Sequence, residues 1–278
     1  MKTFPHIIQA VYFQPWAITR ESWHSIEKIV ASHIAGNAEI PTYDPEADAK
    51  MDLFGQELPQ LEMKGGVAYI PINGPMLKGA GVIEKMCGAC SHEDIMGNIK
   101  VATSLGAEAF VFNIDSPGGT VMGTKELANA IKAINKPTIA MTDGLCCSAA
   151  YWTASACDHI VATPSSIVGS IGVIMELLDA SAAYSAQGLK VEQFTSGTLK
   201  GAGNPAVPLS EDQRKHFQSM VDKMGAEFRA WVTETRGEVD PSQMQGQGMS
   251  GEDGMACGLV DELVNDIEEF KISLDNNL

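Results

Sequence analysis

The sequence has 278 residues, of which 45% are hydrophobic and 19% charged, proportions typical of a globular protein with a real core. A net charge of −16 would repel phosphate backbones, so nucleic acid is not an expected partner. The chain has no run of about eighteen apolar residues, which predicts no membrane span. Its first residues lack the apolar core of a secretory signal, and its six cysteines form no disulfide pattern, so we expect a cytoplasmic protein.

The N-terminal part of the chain differs from the rest in its pattern of apolar and polar residues. Residues 18–35 place large apolar side chains at helical spacing behind the candidate caps Thr19 and Ser22, which predicts a helix. Residues 36–63 contain prolines and acidic residues with little periodicity, typical of a linker or a loosely held arm. We therefore predict a helical arm and linker over residues 1–63 and one larger domain over residues 64–278.

Predicted strands alternate with predicted helices from Gly65 onward. Such alternation predicts an α/β architecture with a largely parallel sheet. Strand patterns occur at 65–74, 107–115, 136–144, 190–197 and in two pieces within 158–173. Helical patterns occur at 91–106, at 124–135, around Ser148 and at 210–234.

The first motif with chemical content is NIDSPGGTV, residues 113–121. Gly118 and Gly119 permit a sharp turn and offer bare backbone N–H groups at the start of the following predicted helix. Such N–H groups can stabilise a developing oxyanion. The motif is equally explained by a tight connection between a strand and a helix.

The second motif is Ser148, which stands among small residues in CCSAAY. A serine at the start of a helix is commonly a cap. The small neighbours favour a nucleophile instead, because bulky side chains at these positions would block the approach of a substrate backbone. In that interpretation the Ala149 N–H is a second oxyanion donor, and the two cysteines before the serine are small, buried packing residues.

A nucleophilic serine needs a group that accepts its proton. His159 falls in a predicted buried strand and His216 on the long polar helix, so neither is well placed for a triad. Lys200 lies in FTSGTLKGAGNP, among small and turn-forming residues. A lysine withdrawn from water loses proton affinity and can then act as a general base, although a solvated loop lysine is the common case.

Together these motifs resemble the signal peptide peptidase A family of serine–lysine proteases. The matching pieces run in order from about residue 64 to 265 and include INGPM, SHEDI, NIDSPGGTV, SGTLKGAGNP and GMACGLVDEL. The resemblance implies a Clp protease and crotonase-type α/β fold with repeated ββα units. It also implies Ser148 as nucleophile, Lys200 as base, Ser170 of GSIGV as the residue that orients the lysine, and Gly118, Gly119 and Ala149 as the oxyanion hole.

The N-terminal stretch YFQPWAITRESWHSIEKIV is similar to that of tailed-phage or prophage head-maturation proteases of the same family. This implies capsid or scaffold proteins as substrates, a location in the host cytoplasm or procapsid, and a ring-like homo-oligomer with a protein or peptide as its other partner. Neither a metal nor a cofactor is predicted. The alternatives are a bacterial protease for peptide turnover, a crotonase-type acyl-thioester enzyme and a non-enzymatic scaffold that kept the fold.

Overall fold

The computed structural model of the chain describes residues 14–34, 60–81, 84–85 and 87–277. Its centre is a six-stranded sheet in the order β13-β10-β8-β6-β3-β2, in which every pair is parallel except the edge pair β2 and β3. The predicted α/β fold with a largely parallel sheet is therefore confirmed. The strands of this sheet are β2 Glu62–Lys64, β3 Val67–Asn73, β6 Ala109–Asp115, β8 Thr138–Thr142, β10 His159–Ala162 and β13 Glu262–Leu263.

The chain repeats one ββα pattern three times, as predicted. Each unit has a buried strand of the central sheet, a two-residue turn, a short second strand that leaves this sheet, and a helix. The turns contain Gly, Pro, Ser or Asp, the residues that suit sharp reversals of the chain. The second strands belong to two small sheets, formed by β1 Trp16–Ile18, β4 Met76–Leu77, β5 Cys90–Ser91 and β7 Gly118–Thr120 in one, and by β9 Leu145–Cys147, β11 Ile167–Gly169 and β12 Gly248–Ser250 in the other.

The helices cover the central sheet and fix the ends of the units. The large hydrophobic cluster takes in one face of the sheet with the apolar sides of several helices, and a smaller cluster covers strand residues with the C-terminal helix. The helices are α1 Arg20–Ile34, α2 His92–Ser104, α3 Thr124–Lys132, α4 Ala149–Ala154, α5 Ser181–Ala186, α6 Glu211–Arg236, α7 Gly251–Ala256 and α8 Ile267–Asn277, with a 3-10 turn at Pro241–Gln243.

The structure differs from the predicted local elements at two places. The predicted strand at residues 190–197 is wrong, because these residues form no strand and are all exposed. The predicted N-terminal helix is confirmed as α1, but it is preceded by β1, which pairs with β7 of the second ββα unit. The predicted linker at 36–63 lies mostly outside the described residues, and the boundary at residue 64 remains a prediction.

Candidate active site

Ser148 occupies a strained turn between β9 and α4. Its φ of 55° and ψ of −116° make it one of two non-glycine residues with positive φ in the described part of the chain. Residues held in such regions cost about 1–3 kcal/mol each and persist only where the surrounding structure enforces them. The side chain is fully buried and makes no cap hydrogen bond, and its hydroxyl donates to the Gly172 carbonyl oxygen at 3.4 Å. The capping interpretation is therefore wrong for this serine.

Backbone hydrogen bonds on both sides enforce the turn. The Ser148 N–H donates to the Gly169 carbonyl at 2.7 Å, and its own carbonyl accepts from the Trp152 N–H at 2.8 Å. Just before the turn, β9 runs parallel to β11 with Cys147 opposite Gly169. The serine is thus held by the strand beside it and by the helix after it.

Helix α4 is anchored by its aromatic side chains. The Tyr151 hydroxyl donates to the Leu259 carbonyl at 2.8 Å, and the Trp152 ring stacks on Phe228 with centroids 4.4 Å apart. Ala149 is the first residue of this helix and is fully buried. A backbone N–H at this position has no acceptor within its own helix, so it can serve a group that lies at the serine.

Gly118 and Gly119 form β7 rather than the start of a helix, since α3 begins only at Thr124. The predicted placement at a helix start is wrong. The glycines are required by close approach: a Cβ at Gly118, whose φ is 109°, would lie 3.0 Å from the Cys147 carbonyl oxygen and against that of Ala17. The double-glycine strand therefore borders the serine turn directly, as the predicted oxyanion role requires.

Ser116 is a positioning residue that the motif analysis missed. It is fully buried, and its hydroxyl donates to the Gly74 carbonyl at 2.7 Å and accepts from the Gly118 N–H at 3.2 Å. Its backbone bonds the third unit as well, accepting from the Cys147 N–H at 3.1 Å and donating to the Leu145 carbonyl at 2.6 Å. One residue thereby ties the turns of all three ββα units together. Its signal in the sequence is a serine at the turn that precedes the two glycines.

The groups next to Ser116 and Ser148 have structural roles. The Asp115 carboxylate accepts from the Leu145 N–H at 3.0 Å and so fixes the start of β9 to the end of β6. Cys146 and Cys147 are buried, as predicted. Burial raises the pKa of the Cys147 thiol to about 12 and that of Cys146 well above its usual value. Both are neutral thiols at ordinary pH, which leaves the serine as the candidate nucleophile of this turn.

Ser170 lies beside Ser148. It follows the last residue of β11, just as Ser148 follows the last residue of β9, and these two strands pair in parallel. Ser170 is the other non-glycine residue with positive φ, at 51°, and its N–H donates to the Gln247 carbonyl at 2.8 Å. The two strained serines therefore leave neighbouring strands at the same edge.

Lys200 lies apart from this cluster in the single chain. Every residue from 182 to 200 is exposed, whereas Ser148 is fully buried, and no hydrogen bond between described residues joins the two side chains. The structure thus brings together Ser148, Ser170, Gly118, Gly119 and Ala149 but not the predicted base. The role of Lys200 remains a prediction.

The histidines offer no alternative base among the described residues. His159 begins β10, is partly exposed and contacts Glu262 through Nε2 at 3.0 Å, and His216 is exposed on α6. His92 is fully buried without a hydrogen-bond partner for either ring nitrogen, and burial lowers its pKa to about 4. It is a neutral packing residue at ordinary pH.

One group of three ligand-type side chains, His24, Glu27 and Glu176, lies close enough together for a metal ion within the described residues. Contacts within the protein already explain why these three side chains lie together. His24 approaches Glu27 at 3.5 Å, and Glu176 accepts the Trp23 indole N–H at 2.7 Å.

The arrangement can support acyl transfer. A buried hydroxyl stands at a helix start, next to a buried strand of glycines that the backbones of Ala17, Met76 and Cys147 approach closely. Attack by such a hydroxyl on a carbonyl places the new negative charge where N–H groups can bind it. A candidate site of this kind, on an α/β scaffold of ββα units, is compatible with a hydrolase of peptide bonds.

Comparison with known proteins places the chain in a family. A sequence profile described as peptidase family S49 matches residues 130–271, which is over half of the chain. The chain therefore belongs to peptidase family S49. It is 32% identical over 163 residues to a putative protease of Methanocaldococcus jannaschii, covering 57% of this chain and 52% of that protein.

A phage protein is also similar. Capsid assembly protease C of Escherichia phage lambda is 28% identical over 219 residues, covering 77% of this chain and 50% of that protein. The matched part of the chain therefore spans about half the length of these two curated relatives. Among solved structures, a ClpP1 variant from Listeria monocytogenes is similar with a TM-score of 0.48 and 14% identity, over 72% of this chain and 92% of that one. Across the described residues, none of the helices has the length and apolar character needed to span a bilayer.

Proposed function

We propose that this protein is a serine endopeptidase in which Ser148 is the nucleophile and Lys200 the general base. The observation that carries the proposal is the conformation of Ser148, which is buried and held at positive φ at a helix start. Its hydroxyl makes no cap hydrogen bond, and the double-glycine strand lies beside it. A purely structural serine has no need of a turn that costs about 1–3 kcal/mol.

The proposed reaction begins when the neutral amine of Lys200 takes the proton of the Ser148 hydroxyl while the serine oxygen attacks the carbonyl carbon of a peptide. The oxyanion is bound by the Ala149 N–H and by an N–H of the Gly118–Gly119 strand, and the Gly118 N–H serves in this role by leaving the Ser116 hydroxyl that it bonds at 3.2 Å. The carbon–nitrogen bond then breaks, and the lysine ammonium gives its proton to the leaving amine. Water next attacks the acyl-serine ester while Lys200 takes its proton. The ester bond then breaks, and the lysine ammonium returns this proton to the Ser148 oxygen, which releases the acid and the free serine.

Lys200 must come close to Ser148 for this chemistry, and its exposure on the single chain supports a base supplied by a second copy. The segment that carries it exposes six large apolar side chains, far more than a solvated loop needs. They are Leu178, Tyr184, Leu189, Val191, Phe194 and Leu199. Burying this segment against a neighbouring copy would withdraw the lysine from water, the condition under which its amine becomes a base. The proposed enzyme is therefore a homo-oligomer with sites between copies.

A complementation experiment tests both the residues and their arrangement. Ser148→Ala and Lys200→Ala are each expected to abolish hydrolysis of a chromogenic peptide. Co-assembled in equal amounts, the two variants should recover roughly a quarter of the wild-type activity if each site takes its serine and lysine from different copies. Unchanged activity of Lys200→Ala, or a fluorophosphonate adduct on a residue other than Ser148, would contradict the proposal.

The proposed physiological role is cleavage of capsid or scaffold proteins during phage head assembly. Its support is the likeness to the phage lambda capsid assembly protease over most of this chain. The putative archaeal protease keeps open a role in cellular protein turnover. Heads assembled with the Ser148→Ala variant in place of the wild type should retain uncut capsid or scaffold protein, measured by mass spectrometry; fully processed heads would favour turnover.

A further inference from the structure

Strand β1 lies between two segments that border the Ser148 turn. On one side it pairs antiparallel with β7, with Ala17 opposite Gly119 and Ile18 opposite Gly118. On the other side Trp16 and Ile174 exchange two backbone hydrogen bonds, each of 2.8 Å. The N-terminal strand thereby bridges the glycine strand and the segment that follows Ser170.

Both neighbours of β1 are in contact with the serine turn. The carbonyl of Gly172, two residues before Ile174, accepts the Ser148 hydroxyl at 3.4 Å. On the other side Gly118 is confined between the carbonyl oxygens of Ala17 and Cys147. Just after β1, the Thr19 N–H donates to the Pro117 carbonyl at 2.9 Å, next to Gly118. Residues 16–19 consequently lie alongside the two segments that border the candidate nucleophile.

A peptide that is to be cut must present an extended backbone to the nucleophile, and proteins commonly hold such a peptide as a strand added to an exposed sheet edge. The two backbone edges next to Ser148 that could hold such a peptide are those of β7 and of the segment around Ile174. Both are already paired with β1. We propose that residues 15–19 occupy the peptide-binding groove of their own chain as a substrate-like strand, and that substrates bind by displacing them. The inference rests on the proposed peptidase function.

The structure also explains how this strand occupies the groove without presenting a bond for cleavage. Its extended conformation ends at Ile18, because α1 begins at Arg20 and the Trp23 N–H already bonds the Thr19 carbonyl at 2.9 Å. The chain beyond Ile18 therefore turns away as a helix instead of continuing through the site. The Trp23 indole N–H bonds the Glu176 carboxylate at 2.7 Å and fastens this helix to the groove wall.

The side chains of β1 indicate the class of peptide that the groove accepts. Trp16 and Ile18 point to the same side of the strand and are buried in a cluster with Trp23, partly covered by Leu77 and Ile174. Ala17 between them belongs to the main core and is fully buried, so the core receives only a methyl group at this position. The expected substrate is an extended segment with a small residue between two large apolar residues.

The test uses the full chain with Trp16→Asp, which places a charge in the apolar cluster and should expel β1. Losing about two net backbone hydrogen bonds corresponds to at least a tenfold higher rate of fluorophosphonate labelling at Ser148. A synthetic peptide of residues 14–20, Gln-Pro-Trp-Ala-Ile-Thr-Arg, should bind the variant at least tenfold more tightly than the wild type and slow its labelling again. The same peptide with glutamate in place of its alanine is the matched control and should do neither.

A milder variant keeps the inference testable if Trp16→Asp does not fold. Trp23→Phe keeps an aromatic ring in the cluster but removes the hydrogen bond to Glu176 and part of the buried indole, so labelling should rise by at least two- to threefold. A folded Trp16→Asp chain that is labelled no faster and does not bind the peptide overturns the inference, as does an unchanged rate for Trp23→Phe. Peptide binding is measured without cleavage, so failure of the peptidase proposal shows separately, as a chain that binds the peptide but is never labelled.

Discussion

The two halves of the proposed dyad lie in regions of opposite character. Ser148 is fully buried, strained and fixed by backbone hydrogen bonds to strand and helix, whereas Lys200 lies in a stretch where every residue from 182 to 200 is exposed. A strained residue persists only in rigid surroundings, and a segment with few buried contacts opens at low cost. The difference indicates that the nucleophile is preorganised by the fold of one chain, while its base depends on a further event, which we propose is assembly.

The largest expected effect is the loss of peptidase activity when Lys200 is replaced. Lys200→Arg and Lys200→Ala should both lower kcat/KM for a peptide by about a thousandfold or more, because a guanidinium cannot release its proton to act as a base. Since residue 200 is exposed, the free energy of unfolding of the isolated chain should change by no more than about 0.5 kcal/mol.

Peptide kinetics and urea unfolding on the same preparations check both parts. His159→Ala is the control, because His159 contacts Glu262 at 3.0 Å rather than the serine. An active Lys200→Arg enzyme combined with an inactive His159→Ala enzyme would show that the base is a histidine.

A glycine pair probes rigidity in the two regions. Gly119→Ala would drive a Cβ into the Met76 backbone, where nothing flexible can move aside, so it should destabilise the chain by about 3 kcal/mol or more. Gly197→Ala, in the exposed segment, meets no atom within 4 Å and should change the stability by about 0.5 kcal/mol at most. Urea unfolding midpoints measure both changes in stability. Similar losses at positions 119 and 197 would show that the two regions do not differ in rigidity.

The buried His92 predicts that the stability of the folded chain depends on pH. His92 has a pKa of about 4 in the folded chain because burial disfavours its charged form, against about 6.5 when unfolded. The unfolded state therefore binds more protons between these values, and stability falls as the pH drops from about 6.5 to 4, by about 3 kcal/mol in total. His92→Gln should flatten this part of the stability curve, measured by urea unfolding at a series of pH values, and an equally steep curve for the variant would contradict the prediction.

The smallest effect isolates the strain at Ser148. Ser148→Gly and Ser148→Ala should both be inactive, but only glycine adopts a φ of 55° without a steric penalty. The glycine variant should be about 1 kcal/mol more stable than the alanine variant. Equal unfolding free energies for the two variants would mean that the turn is not strained.

Motif and periodicity arguments found the serine side of the site because its information is local. Small residues around Ser148, the double glycine after a buried strand and the strand–helix alternation are each a feature of adjacent residues. The α/β architecture follows from the alternation, whereas the repeated ββα units were implied by the family resemblance. The same reasoning was wrong for residues 190–197. Their β-branched and aromatic side chains are typical of a strand, but among the described residues no strand edge pairs with them.

The sequence alone determined the architecture, the candidate nucleophile and the buried state of the cysteines beside it, because residue size, periodicity and turn chemistry act over short distances. Only the tertiary structure decided that Ser116 joins three turns, that Ser170 lies next to Ser148, and that Trp16–Ile18 enters the sheet beside Gly118. These contacts join residues far apart in the chain through backbone N–H and carbonyl groups. Such groups are the same in every residue except proline, which lacks the N–H, so no side-chain pattern reveals which strands they will pair.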